Sequence, residues 1–301
     1  MTTSRLRDLL LLTRPYSWID AILNTLIGLA WSRGANSLGL RLSVAVIALL
    51  MWFSLNWVSE AIQHDPDRRM PGWGLTLAPL FIAWGWTLYL GSSDSLLWLV
   101  AYTALIFIYP WKARNSFLGP LGFLLRGVQT GTLFMLGTSF GGASPAVSRI
   151  VFSLVLVQAA RSLVADIRDV KSDVHELPTL IGERPSKWFA VALLLAGIAS
   201  MPSLRPGHFE PQLILLGMMV LMVVFRPDYS YELHFGFIMV FAFAKMAIYT
   251  ELLGEAPYLN WIVLSPLQMA LSSTYWHVPR RSNELFREHM ERAIRVVGKH
   301  Y

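Results

Sequence analysis

The stretch DIRDVKSDVHELPTLIG, residues 166–182, follows directly on a long apolar run and places three aspartates, Asp166, Asp169 and Asp173, at positions i, i+3 and i+7. A helix continuing through it would stack all three carboxylates on one face. Like charges so placed repel, and beside hydrocarbon they are costly. A divalent cation would offset that cost; Mg²⁺ favours carboxylate oxygens and commonly joins them to substrate phosphates.

The chain around this stretch is unusually apolar. Of 301 residues, 54% are hydrophobic and 15% charged, against about 25% charged in an average soluble domain. Apolar runs near the length needed to cross a bilayer recur throughout. Ten candidate spans stand out, at roughly 16–32, 42–62, 74–91, 95–110, 117–140, 147–165, 186–203, 211–225, 232–251 and 258–276. The expected fold is therefore an all-α polytopic membrane protein. It would be one domain over 1–301, a bundle of nine to ten transmembrane helices in two similar halves around a central cavity.

Lys and Arg test the topology, because cytoplasmic loops are enriched in them. With the amino terminus (1–15) inside, eighteen basic residues fall on the cytoplasmic side, and Arg33, Arg41, Arg149 and Arg205 fall outside. That bias explains the net charge of +6 without a nucleic-acid surface. The segment 277–301 is basic and amphipathic, and reads as a tail on the cytoplasmic leaflet. No cleavable signal pattern precedes the first span, and cysteine is absent, which removes thiolate nucleophiles and thiolate metal sites. A bacterial plasma membrane is the expected location.

The second span ends in NWVSEAIQHDPDRRMPGW, residues 56–73, where Asn56, Glu60 and His64 follow at i, i+4 and i+8, with Asp65 and Asp67 just beyond. Spans two and six run parallel under this topology, so both polar ends face the cytoplasm and can oppose each other across one cavity. The fourth span ends on the same side in YPWKARN, residues 109–115, which carries Lys112 and Arg114. Arg suits bidentate phosphate recognition and Lys a point contact. Metal ligands and cations together describe a diphosphate site, whereas either set alone would pass for solvated helix ends.

Three charges fall inside spans. Arg126 and Arg161 read either as phosphate contacts or as structural pairs, with Arg161 about 140° around its helix from Asp166. Lys245 reads as the partner of a nearby acid such as Glu251, or as a polar cavity wall. Arg14 either binds diphosphate or anchors its helix at the headgroups.

These stretches resemble the UbiA superfamily of intramembrane prenyltransferases, which has an Asn/Asp-rich motif after its second helix and an Asp-rich motif after its sixth. Asp166, Asp169 and Asp173 match the latter, and LPTLIG, residues 177–182, resembles its trailing signature. TRPYSWIDAILNTLIGLAW, residues 13–31, resembles the family's Arg-Pro start to its first helix, and YPWKAR its Tyr…Lys-Arg loop. The first motif departs, with Glu60 and His64 where the family has two aspartates, so Asp65 or Asp67 would take the last role.

The resemblance implies Mg²⁺ bound between the motifs, with Asn56, Glu60, Asp65, Asp67, Asp166, Asp169 and Asp173 as ligands. It implies a prenyl diphosphate whose tail lies in a channel open to lipid; Lys112 and Arg114 would hold the diphosphate, with Arg126, Arg161 and Arg14 as further candidates. Transfer of the prenyl group to a hydrophobic acceptor would follow, with Lys112, Arg114 and Asp173 nearest the chemistry. Two alternatives share the site: a membrane terpene cyclase without an acceptor, and a cation-coupled transporter. The transporter is disfavoured because coupling sites usually lie near the bilayer midplane.

Overall fold

The structure is a computed structural model that describes residues 3–32, 37–63, 72–90, 93–141, 147–170, 175–202, 210–253 and 257–277. Its helices are α1 (Thr3–Leu12), α2 (Trp18–Trp31), α3 (Leu38–Gln63), α4 (Trp73–Leu90), α5 (Ser93–Ile108), α6 (Gly122–Ser139), α7 (Val147–Asp169), α8 (Leu177–Ile181), α9 (Glu183–Ser200), α10 (Glu210–Val224), α11 (Ser230–Leu253) and α12 (Pro257–Ser272). Among the described residues, the ten helices of fourteen residues or more coincide with the ten apolar runs.

The physical reason is local. In hydrocarbon a backbone must satisfy its own polar groups, and the α-helix does so within one segment. Five helical stretches are long and apolar enough to cross a membrane by length and composition: Leu38–Ile62, Trp73–Leu90, Ser93–Ala113, Arg149–Asp169 and Ser230–Leu253. Large apolar side chains such as Phe81, Leu97, Phe152 and Ile262 project outward from the bundle. That surface would be a liability in water and is the natural contact with lipid. The protein is an integral membrane protein.

The core forms two main apolar clusters that share α2 and α6. One joins them to α3, α4 and α5, the other to α7, α9, α10 and α11. Two glycines allow α2 and α6 to touch: a Cβ on Gly28 would lie 2.0 Å from the Phe134 carbonyl oxygen, and one on Gly137 2.0 Å from that of Thr25. Small residues at such crossings let backbones approach in the absence of a hydrophobic drive between helices. On the other side, Ser153 of α7 donates to the Gly197 carbonyl of α9 at 2.7 Å.

The first chain segment is tied to α3 by indoles. Trp52 Nε1 donates to the Thr13 carbonyl at 2.8 Å, Trp18 Nε1 to the Thr13 hydroxyl at 3.1 Å, and Trp57 Nε1 to the Leu9 carbonyl at 3.3 Å. Between α1 and a 3-10 turn at Pro15–Ser17, Arg14 adopts φ 54°, the one positive φ outside glycine among the described residues. Such strain persists where surrounding contacts hold it, often at functional sites.

The aspartate run differs from its expected form. Helix α7 ends at Asp169, so it carries two of the three acids, and Asp173 lies outside the described residues. His64, Asp65, Asp67 and the tail from 278 onward also lie outside them. Arg168 meets Asp169 at the helix end, which matches one charge before the chain leaves the helix.

Candidate functional site

The ends of α3 and α7 meet at one buried cavity of about 120 Å³. Trp52 and Ser59 of α3, Lys112 and Tyr109 of the turn after α5, Arg126 of α6, and Gln158, Arg161, Ser162, Asp166, Arg168 and Asp169 of α7 line it. Arg14, Tyr16 and Ser17 close it from the amino-terminal side, and His234 from α11. α3 and α7 therefore meet at this cavity, but Asn56 and Glu60, the α3 residues expected there, are not among its lining residues.

Lys112 is buried between two carboxylates. Its Nζ donates to Asp166 Oδ1 at 3.2 Å and also pairs with Glu176. The LPTLIG signature explains why Glu176 is there. Pro178 sits in the first turn of α8, where its missing N–H costs nothing, and Gly182 leaves the helix at φ 89°, a conformation that favours glycine. Glu176 stands at the N-cap position of this one-turn helix without a side-chain capping bond, and its carboxylate accepts from Lys112 instead. Burial, then the neighbouring Asp166 charge, push its carboxyl up to about 8.

Asp169 is held by Arg168, whose Nε donates to it at 2.7 Å while Nη1 donates to the Tyr275 hydroxyl at 3.1 Å. Arg161 is held by Asp20 of α2 at 2.5 Å and by the Ser17 hydroxyl at 2.9 Å. Lys245 of α11 pairs with the other oxygen of Asp20. This corrects the expected partner of Lys245: it is Asp20, because α11 turns that face toward α2. Arg126 lies over Tyr109, with its guanidinium carbon 4.0 Å from the ring centroid, and 5.3 Å from the Trp52 ring.

The remaining expected residues fall as follows. Arg14 lines the cavity, and Glu60 is buried close enough to act on its charge. Asn56 is buried below Glu60, its amide donating to the Trp52 carbonyl at 2.8 Å and its Oδ1 left without a partner. Arg114 is exposed and does not line the cavity, since the turn that buries Lys112 points it outward. Asp20, Arg168 and Glu176 escaped the sequence reading. Asp20 had a readable signal, a single acid inside an apolar run; the other two look like ordinary loop-edge charges.

Two carboxyl and amide oxygens test the site for a hard cation. Asp166 Oδ2 and Asn56 Oδ1 are buried and accept no hydrogen bond, as suits oxygen ligands awaiting a metal. Among the described residues, no three of His, Cys, Asp and Glu come together as a metal group, so the described acids supply part of a donor set.

The chain is thus a polytopic helical bundle with an internal cavity lined by charged residues, several of them paired, at the ends of two helices. No family model matches the chain. A digeranylgeranylglyceryl phosphate synthase from Thermococcus kodakarensis is 24% identical over 220 residues, which is 65% of this chain and 77% of the relative. A solved structure concerning digeranylgeranylglyceryl phosphate synthase in membranes matches with a TM-score of 0.61 at 17% identity, over 84% of this chain and all of that one. A UbiA homologue from Archaeoglobus fulgidus, solved with DMAPP and Mg²⁺, matches with a TM-score of 0.52 at 15% identity, over 90% of this chain and 98% of that one. The chain has the fold of these UbiA-type proteins.

Proposed function

We propose that the protein is an intramembrane prenyltransferase that moves a prenyl group from a prenyl diphosphate to a lipid-soluble or aromatic acceptor, releasing diphosphate, with Mg²⁺ as cofactor. The observation that carries this reading is the meeting of both motif-bearing helix ends at one buried cavity lined by Arg14, Lys112, Arg126, Arg161 and Arg168, in a bundle of UbiA fold. Relatives of this fold include a prenyl-transferring synthase and a protein solved with DMAPP and Mg²⁺. The proposed orientation puts the cavity on the cytoplasmic face, which the Lys and Arg distribution favours, and the bacterial plasma membrane remains the proposed location.

Asp166, Asp169, Asn56 and Glu60 would hold Mg²⁺, completed by Asp173 and by Asp65 or Asp67. Bound there, the ion supplies positive charge to a departing diphosphate. Lys112 exchanges its carboxylate partners for diphosphate oxygens, and Arg161 and Arg14 hold the same group from the α2 side. Arg114, exposed outside the cavity, would attract the anion before it enters. The allylic C–O bond then breaks with its electrons passing to the diphosphate, and the acceptor's nucleophile bonds to the prenyl carbon as it loses its proton. Buried cations stabilise the leaving charge more strongly than solvated ones would.

The test is diphosphate release by purified protein in lipid nanodiscs, over prenyl diphosphates of increasing length and a panel of acceptors, with Mg²⁺ or with EDTA. Release that requires Mg²⁺ and falls at least about a hundredfold in Asp166→Asn and Lys112→Met is expected. Release without an acceptor, yielding a hydrocarbon or terpene alcohol, would point to a cyclase. Release indifferent to both substitutions, or absent throughout, would overturn the reading.

A further inference from the structure

The transfer takes a proton from the acceptor, and a proton released inside a bundle needs a base beside it. Among the described residues that line the cavity, Arg14, Lys112, Arg126, Arg161 and Arg168 are cations with no lone pair to offer. Asp166 and Asp169 are engaged by Lys112 and Arg168, and their oxygens are the proposed Mg²⁺ ligands. His234 of α11 lines the same cavity and is buried. Imidazole is the side chain that takes up and returns a proton near neutral pH.

Two ring contacts set its depth. The Arg168 guanidinium carbon lies 5.7 Å from the Tyr231 ring centroid, so the first turn of α11 stands level with the end of α7. The Arg161 guanidinium carbon lies 6.0 Å from the Phe241 ring centroid, deeper in the bundle. His234 falls between Tyr231 and Phe241 on α11, about 4.5 Å along the axis from Tyr231. The imidazole therefore stands below the Asp169 end of α7, on the bundle side of the proposed Mg²⁺ site. A diphosphate held at that end points its prenyl carbon the same way, toward the apolar interior. An aromatic frame fixes the ring. Its centroid is 5.7 Å from that of Tyr275, whose hydroxyl accepts from Arg168 Nη1 at 3.1 Å and whose ring meets Tyr16 edge-on at 5.1 Å. Arg168 also donates to Asp169, so imidazole and carboxylate belong to one connected assembly, as a preorganised site requires.

We propose that His234 is the base of the transfer. One ring nitrogen takes the proton that the acceptor loses as the acceptor's electron pair bonds to the prenyl carbon. The C–O pair leaves with the diphosphate, and the imidazolium then gives its proton to water or to the departing diphosphate. The acceptor that fits this step carries a hydroxyl or an activated aromatic C–H. The role rests on the prenyltransferase reading, while the place of the imidazole rests on geometry.

The test uses the full chain in phosphatidylcholine nanodiscs, as wild type, His234→Gln, His234→Ala and Asp173→Asn. Transfer is measured with geranyl diphosphate, Mg²⁺ and three acceptors in turn: para-hydroxybenzoate, naphthol and dodecanol. Binding is measured with a geranyl thiodiphosphate that cannot react. His234→Gln should lower transfer at least about a hundredfold and change thiodiphosphate affinity less than about twofold. Free imidazole should restore transfer at least about tenfold in His234→Ala, a rescue that a merely structural histidine would not show. Asp173→Asn should weaken thiodiphosphate binding together with transfer, as loss of a metal ligand does. Three results would each overturn the base role: transfer kept in His234→Gln, thiodiphosphate binding lost along with it, or no imidazole rescue. Transfer lost in Asp173→Asn with binding intact would move the role to that aspartate, and product made by wild type without any acceptor would remove it. Wild type that releases no diphosphate at all sinks the prenyltransferase reading itself. That failure is seen in wild type, whereas failure of the base role is seen in the variants.

Discussion

Asp20→Asn should damage this protein far more than Lys245→Met, although the two side chains touch. Asp20 is 4% exposed and holds two buried cations at once, Arg161 at 2.5 Å and Lys245 on its other oxygen. The cluster carries one more positive charge than negative. Replacing Asp20 by a neutral amide strands both cations, and breaking a buried pair in this way costs about 3–5 kcal/mol. Replacing Lys245 by methionine leaves a matched Asp20–Arg161 pair, keeps an apolar stem of similar length against Phe241, and should cost less than about 1 kcal/mol. In the Lys245→Met background, Asp20→Asn strands one cation instead of two, so its cost should shrink by about 1–3 kcal/mol. Thermal unfolding in nanodiscs, followed by near-UV circular dichroism, reads all four members of the cycle, with a drop of order 10 °C expected for Asp20→Asn alone. Equal losses for the two single variants, or an undiminished cost of Asp20→Asn in the Lys245→Met background, would refute the charge argument.

Gly137→Ala should separate α2 from α6, because its Cβ would stand 2.0 Å from the Thr25 carbonyl oxygen, and backbone cannot yield as a side chain can. The cost should exceed about 3 kcal/mol and appear as loss of folded, monodisperse protein on size exclusion; Gly85→Ala, which meets nothing within 4 Å, should behave as wild type. Trp52→Phe keeps a ring beside Arg126 and removes the 2.8 Å bond to the Thr13 carbonyl. A loss of about 1 kcal/mol should appear as faster hydrogen exchange over residues 9–14, and unchanged exchange there would mean that Trp18 suffices. Asp20→Glu keeps the charge one methylene further out, so it should recover part of the unfolding temperature lost in Asp20→Asn; no recovery would mean that shape, and not charge, is what Arg161 and Lys245 require.

Helix positions were legible in the sequence to a degree that side-chain partners were not. Each apolar run predicts its helix from a local quantity, the cost of leaving backbone polar groups unmatched in hydrocarbon, and all ten reappear as helices within a few residues. The aspartate-rich end was legible for a similar reason: carboxylates at fixed helical spacing share a face whatever surrounds them, and α7 brings Asp166 and Asp169 to the cavity, where α3 contributes Trp52 and Ser59. Which charge answers which is another kind of fact. Arg161 and Lys245 meet Asp20 across 141 and 225 residues of chain, and Lys112 finds Glu176, which stands at the start of a one-turn helix. Those outcomes depend on how helices are rotated against one another, which is decided by close approaches such as Gly28 on Phe134 and Gly137 on Thr25. The amino-acid sequence by itself determined that this chain is a membrane bundle with two polar helix ends. Only the tertiary structure decided which buried charges meet, with Arg161 and Lys245 sharing Asp20 and Lys112 set between Asp166 and Glu176, because pairing in a low-dielectric interior follows from contact between helices and not from spacing along them.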